Sequence, residues 1–520
     1  MKTVLAAALS AVLLTTPAWA QTKVTAVLEG DLSIIDPLTT TTYITRNISN
    51  LVYDVLFARG LNGDVHPQMV DKWTASKDGL VWSFTLRDGL KFHDGKPVMA
   101  KDAALSLQRW GKRNFIGRAL MAKTKSVVAD DAKTFTLTLS EPFPAMLTAL
   151  SSNLFVMPER LAVADAATPV KEVMGSGPFM MKMEDWVPGS KLTLRKNPNY
   201  VSRKEPSDGL AGAKKVEFDT LELRFIADQE TRFSALTRGE VDYIQTIGLD
   251  YIPLAKKDPN LTLDPMGGRL DKMGLIIMNQ AQPPFDKPEV RRALQYAIDS
   301  APIMAALGVP KEFSLPECRS IYACGSFSKY ATKAGYEEFT KPNLEKAREL
   351  LKKSGYAGEK VVSLHTTNLR HYDVATTVIE EQLRKVGFNV QSIPVEWNGV
   401  MSRQGSKAAA DKGGWSLFVL ASDVTDLTNP LLNSYANRNC SDFVSGFFCN
   451  PKITELQNQL LLAKDDKAVK ALSEQIQREF AAANHLVFWG QFSLPAVYRK
   501  QVTNVSPAGF PLFWNVKKAN

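Results

Sequence analysis

From residue 274 to residue 421, buried-type strands alternate with amphipathic helices, and this alternation restricts the chain more than any other feature. Residues 274–278 (GLIIM) form an uninterrupted apolar run, as a strand covered on both faces must. Pro288 then opens a helix carrying Val290, Ala293, Leu294, Ala297 and Ile298 at three- and four-residue spacing. Asn343 caps a second helix, with Leu344, Ala347, Leu350 and Leu351 on one face and Gly355 behind it. A strand is expected at 361–365, and Asp373 is expected to cap a helix running through Val386 to Gly387. Further strands follow at 389–395 and 415–421. Strand–helix–strand order of this kind predicts an α/β unit with a mainly parallel sheet.

The first half reads as richer in strands. Short alternating or apolar runs at 81–87, 134–140, 191–195 and 221–226 each end at Gly, Pro, Asn or another polar residue. A helix is expected over 100–110, with Ala103, Ala104, Leu107 and Trp110 on its apolar stripe. Residues 202–215 (SRKEPSDGLAGAKK) are polar and broken by Pro and Gly, so they are expected to be a loop excursion on the surface. Asp228 caps a helix bearing Phe233 and Leu236, which Gly239 stops before a strand at 241–244. The chain has 520 residues, enough for two to four packed units. No repeat of 20–50 residues appears, which argues against a solenoid or propeller.

Residues 1–20 read as an export signal. Lys2 supplies the charge, residues 4–14 the short apolar core, and Ala18-Trp19-Ala20 the small-x-small cleavage pattern. Gln21 would be the new terminus, and because it is not Cys, no lipid anchor is expected there. An oxidising destination favours disulfides among Cys318, Cys324, Cys440 and Cys449. Three connectivities are open, and short loops favour Cys318–Cys324 and Cys440–Cys449. The 63 basic residues exceed the 54 acidic ones, but no Lys/Arg run is longer than two, so no nucleic-acid partner is expected.

Ligands of open parallel sheets collect beyond the carboxyl ends of the strands. Asn279 follows one strand, Arg370 and His371 another, Trp397 a third, and Asp423 with its rival Asp426 a fourth. An amide, a cation, an aromatic ring and a carboxylate on one face suit a zwitterionic or otherwise polar small molecule. Catalytic patterns are missing: there is no G-x-S-x-G, H-E-x-x-H or phosphate-binding glycine loop. His93, in Phe92-His93-Asp94-Gly95, fits a turn-stabilising role, and five His in all give no metal-binding spacing. No enzyme activity, cofactor or metal is therefore expected.

Residues 81–110, VWSFTLRDGLKFHDGKPVMAKDAALSLQRW, resemble the signature of the family-5 extracellular solute-binding proteins of ABC importers, the dipeptide, oligopeptide and nickel type. The resemblance extends through Ser33-Ile34-Ile35-Asp36-Pro37, Gly175-Ser176-Gly177-Pro178-Phe179, Leu236-Thr237-Arg238-Gly239-Glu240-Val241-Asp242 and residues 279–299, NQAQPPFDKPEVRRALQYAID. It implies a two-lobed periplasmic-binding-protein fold, type II-like, that closes on a solute. Lobe one would be 21–275 plus 490–520, with an extra subdomain at about 57–175, and lobe two 276–489. It also implies a monomer in the periplasm that passes a small-molecule or peptide ligand to permease subunits. By the family's pattern Asp423 would hold a ligand ammonium and Arg370 a carboxylate. Trp397, after Glu396, would lie near the cleft, and Asn279 at the lobe junction. The family's Trp before the acidic anchor falls here at Leu420, so an opine, oligosaccharide or aromatic acid is an alternative to a short peptide. An exported hydrolase or chaperone is the remote alternative, and a scarcity of His argues against nickel.

Overall fold

Two mixed sheets divide most of the chain. The computed structural model describes residues 22–40, 42–265, 270–325, 328–437, 440 and 445–519, so the expected export signal lies outside the described residues. The seven-stranded sheet runs in the order Leu261–Asp264, Ala496–Arg499, Tyr243–Ile244, Lys23–Val27, Thr220–Arg224, Lys191–Lys196, Phe179–Val187. The six-stranded sheet runs Ser314–Leu315, Leu486–Phe492, Lys272–Met278, Leu417–Asp423, Lys360–Thr366, Asn389–Val395. The chain thus passes from the first sheet to the second between residues 264 and 272 and returns between 492 and 496. The division expected at 275/276 and 489/490 falls inside strands Lys272–Met278 and Leu486–Phe492, each of which lies wholly in the six-stranded sheet.

The expectation of a mainly parallel sheet is corrected. In the six-stranded sheet only Lys360–Thr366 pairs in parallel, with Asn389–Val395 and Leu417–Asp423. Strand Lys272–Met278 is antiparallel to both its neighbours. Its continuous apolar run reflects burial on both faces, which antiparallel strands share with parallel ones when helices cover them. Gly274 faces Gly490 across the register break between Gly274 and Leu275. A Cβ on Gly274 would stand 2.1 Å from the Trp489 indole, so only glycine lets that ring lie flat in the core.

Helix periodicity translates directly into packing. In helix Arg370–Val386, buried Ala375, Ile379, Leu383 and Val386 repeat at three and four residues, and Gly387 ends the helix at φ 115°. The helix begins three residues before the expected cap. Asp373 therefore sits in the first turn, where Oδ1 meets His365 Nε2 at 2.8 Å instead of capping the backbone.

A four-stranded antiparallel sheet (Val70–Ala75, Val81–Leu86, Thr134–Leu139, Thr124–Ala129) carries the 81–110 signature, whose helix Ala100–Arg113 buries Ala103, Ala104, Leu107 and Trp110. That helix also delivers Arg109 to Asp36, with Nη2 at 2.7 Å and Nη1 at 3.3 Å, both side chains fully buried. Asp36 also accepts the N–H groups of Val170 and Leu38, so two distant motifs are joined by one saturated carboxylate. His93 takes its turn-stabilising place: its N–H donates to Gly175 O at 2.9 Å and its Nε2 lies 3.3 Å from Gly177 O. Any Cβ on Gly175 would come within 2.0 Å of Val52 O, which explains glycine at that approach.

Residues 202–215 have no helix or strand, as expected, but they are not a free excursion. Lys214 is buried, and its Nζ donates to Asp54 Oδ1 at 2.9 Å. Arg203 Nη1 donates to the carbonyls of Gln68 and Val70. Cys318 is bonded to Cys324, and Cys440 to Cys449.

Candidate functional site

A cavity of about 1400 Å³ lies between residues carried by the two sheets. From the seven-stranded side come Leu28 to Asp31, which follow strand Lys23–Val27, and Tyr43 and Arg46 on helix Tyr43–Val52. From the six-stranded side come Lys272, Arg370, His371, Trp397 and Asp426. Arg370, His371, Trp397 and the rival carboxylate Asp426 are therefore brought together, as their strand-end positions suggest. Asp423 and Asn279 are not among the lining residues.

Strand direction explains Asn279. It follows strand Lys272–Met278, which runs opposite to Lys360–Thr366 and Leu417–Asp423, so it emerges at the far end of the sheet. There it is fully buried, with Nδ2 donating to Trp415 O at 2.9 Å and Oδ1 accepting from Ala281 N–H at 3.1 Å. The residue that the same strand does place at the cavity end is Lys272, paired in register with Asp423.

Asp423 is consumed by protein cations. Lys272 Nζ donates to Oδ1 at 2.5 Å and Arg46 Nη2 to Oδ2 at 3.3 Å, while the Asp423 N–H donates to Tyr43 Oη at 3.1 Å. Arg46 Nη1 also holds Asp426 Oδ1 at 2.7 Å, and its guanidinium lies 4.6 Å over the Tyr43 ring. Burial alone would lower the Lys272 ammonium, but the carboxylates of Asp423, Glu29 and Asp271 outweigh it and hold the group well above its ordinary value. Asp271 is pushed up to about 7, chiefly by burial and further by the Asp423 charge, against the pull of Lys272. A ligand ammonium at Asp423 would have to displace a lysine already inside a saturated pair.

Arg370 stands at the mouth, exposed, with Nη2 2.7 Å from Asp250 Oδ2. Asp250 belongs to the turn Leu249–Tyr251, on the seven-stranded side, so this ion pair bridges the cavity. The neighbouring His371 packs edge-on against Tyr372 at 4.3 Å. Burial, with help from Lys272, lowers its imidazole to about 3, so it is neutral. Trp397 opens helix Trp397–Arg403, donates its N–H to Asn368 Oδ1, and stands edge-on to Tyr372 at 5.1 Å. The result is an aromatic wall beside charged groups.

Sequence reasoning missed Tyr43, Arg46, Asp250 and Lys272. Arg46 carried one legible signal, a lone cation on a helix otherwise free of charge. Lys272 carried none, because its place depends on strand pairing. Among the described residues no cluster of three or more His, Cys, Asp or Glu could hold a metal ion, and no helix is long and apolar enough to cross a membrane.

Known proteins share this architecture. The model for bacterial extracellular solute-binding proteins, family 5 middle region, matches residues 64–442. A probable peptide ABC transporter periplasmic-binding protein, y4tO of Sinorhizobium fredii, is 33% identical over 498 residues, which span 94% of this chain and 92% of that protein. The glutathione-binding protein GsiB of Escherichia coli O6:K15:H31 is 25% identical over 519 residues, covering 94% and 91%. Two solved structures share the fold. The ABC transporter-associated periplasmic binding protein DppA of Helicobacter pylori, in complex with the peptide STSA, has a TM-score of 0.79 at 21% identity, covering 96% and 99%. AgaA of A. tumefacien R10, in complex with agropinic acid, has a TM-score of 0.78 at 22% identity, with the same coverage. A match over most of the chain, together with a relative aligned nearly end to end, decides the family: the chain belongs to the bacterial extracellular solute-binding proteins, family 5.

Proposed function

We propose that this protein is the periplasmic solute-capturing component of an ABC importer, enclosing a short peptide or a similar small polar solute and delivering it to membrane permease subunits. The observation that carries the reading is the cavity of about 1400 Å³, walled from both sheets and bridged by ion pairs. Its volume exceeds the usual 300–1,000 Å³ of small-molecule sites, which leaves room for several residues of peptide or for an opine. The 33% relative is named for peptide transport, and one fold relative was solved with agropinic acid.

The two sheets would act as the centres of two lobes, the second running from about 272 to 492. Closure needs only that the solute bind the closed form more tightly than the open one. No bond is made or broken in that cycle. Within the cavity, Arg370 is free to exchange Asp250 for a ligand carboxylate, since both groups are more than half exposed. Asp423 would act through Lys272 and Arg46 rather than on an ammonium directly.

The test is a melting-temperature screen of the mature protein against short peptides, opines, sugars and aromatic acids. A true ligand at a hundred times its Kd adds about 2.7 kcal/mol, which for a chain this long raises Tm by about 2–3 °C. A shift with peptides or opines supports the reading. Shifts confined to sugars or aromatic acids overturn the peptide assignment, and turnover of the ligand overturns the transport role.

A further inference from the structure

The cavity wall carries a strong excess of positive charge. Among the described residues that line it, eight are Lys or Arg and three are Asp or Glu. Adding Asp423 and Asp250, which pair with lining cations from just outside the lining set, leaves a positive surplus. Each of the three acidic side chains is already engaged. Asp426 holds Arg46 at 2.7 Å, Glu29 lies 3.7 Å from Lys272, and Asp31 accepts the Gly189 N–H at 2.7 Å. An incoming ammonium therefore meets a single carboxylate without a cation partner, the exposed Asp31.

The cations are not all engaged in the same way. Arg59 ends strand Phe57–Arg59 and lines the cavity, yet among the described residues its guanidinium has no ion-pair or hydrogen-bond partner. Its Nε is buried without a partner. Burial lowers the group, and the one carboxylate that acts on it, Asp426, is bonded to Arg46, which repels it. A partly buried cation without a counter-ion is less stable than a paired one and favours an anionic partner. A carboxylate matches its planar fork and would be held by paired, charge-assisted hydrogen bonds.

We infer that the natural cargo is a small molecule of net negative charge, with more carboxylates than ammonium groups, one carboxylate being bound by Arg59. This rests on the transport reading above and narrows it to acidic peptides and N-carboxyalkyl amino acids of the opine kind. The class is set by two features together: a surplus of cations on the wall, and acids that, Asp31 apart, already face protein cations.

Native mass spectrometry tests it, on the wild-type mature chain incubated with a full dipeptide library to which N-(1-carboxyethyl)glutamate is added. Enrichment of net-negative members, or of the added dicarboxylate amine, is the expected result. Enrichment of neutral or cationic dipeptides overturns this inference and leaves the transport reading standing. Retention of no member overturns both. The best-retained member is then titrated against Arg59→Gln, which should weaken it about tenfold or more. Without ligand the same substitution should leave Tm unchanged or raise it by about 1 °C, because it removes a partly buried charge that has no counter-ion. A structural arginine would instead lower Tm. Unchanged affinity in Arg59→Gln overturns the assigned role.

Discussion

Replacing Lys272 with Met is expected to destabilise the fold by about 3 kcal/mol, because it leaves the buried Asp423 carboxylate beside Asp271 and Glu29 with only the longer Arg46 contact at 3.3 Å. The side chain lies at the point where the chain has just entered the six-stranded sheet, and Glu29 reaches it from the other sheet. Loss of the cation should therefore disturb the cavity as well as the core. Asp423→Asn alone should also cost stability, since it leaves Lys272 without its main partner. The double substitution should recover much of the loss, as replacing both members of a buried pair by neutral groups is often close to neutral. Urea unfolding of the four proteins measures the coupling. Additive effects, or single losses below about 1 kcal/mol, would show that the pair is solvated rather than structural.

The second large effect is a pair of opposed acid responses. His485 is buried, stacked on Phe448 at 4.0 Å, and lowered to about 3, first by burial and then by Arg291. In the unfolded chain it takes a proton near pH 6.5, so between there and pH 3 the unfolded state binds more protons. Stability from this group is complete above pH 6.5 and falls by about 1.4 kcal/mol per unit below it. Asp271 behaves inversely. Its carboxyl, ordinarily near 3.8, is raised to about 7 in the fold, so between those values stability falls as pH rises. In the shared window the two contributions oppose one another, while His93 and His371, lowered to about 4 and about 3, side with His485.

The wild-type protein is thus expected to lose stability on acidification from pH 6.5 to 4.5. Asp271→Asn should steepen that loss and His485→Gln should flatten it. Denaturant midpoints at the two pH values provide the measurement. If the two variants changed the slope in the same sense, the assignment of opposed titrations would fail.

How much of this was legible in the sequence depends on the range of the interaction. Helices Pro288–Ala297 and Leu344–Lys353 and strand Asn389–Val395 stand where periodicity, caps and glycines put them, because those signals act within a few residues. Strand direction acts across the whole chain. Reading the sheet as parallel placed Asn279 at the site, whereas the antiparallel course of Lys272–Met278 puts the other end of that strand there. Asp423 ends strand Leu417–Asp423, but its partner Lys272 is 151 residues away, and no local pattern announces that its charge is already used. Asp373 looked like a cap because Asp is a good one, and the side chain of His365 recruited it instead.

The two disulfides have a mechanical consequence. They join residues six and nine positions apart, and both lie in the stretch between 272 and 492, so neither ties one sheet to the other. Each closes so short a loop that its chain-entropy contribution is about 2–2.5 kcal/mol. Oxidation therefore stiffens two loops without setting the width of the gap between the sheets. The bonds that bridge that gap at Arg46 and Arg370 are ionic and reversible. A reduced sample should still open and close, whereas concentrated salt, which loosens the exposed Asp250–Arg370 contact first, should shift the balance toward the open form.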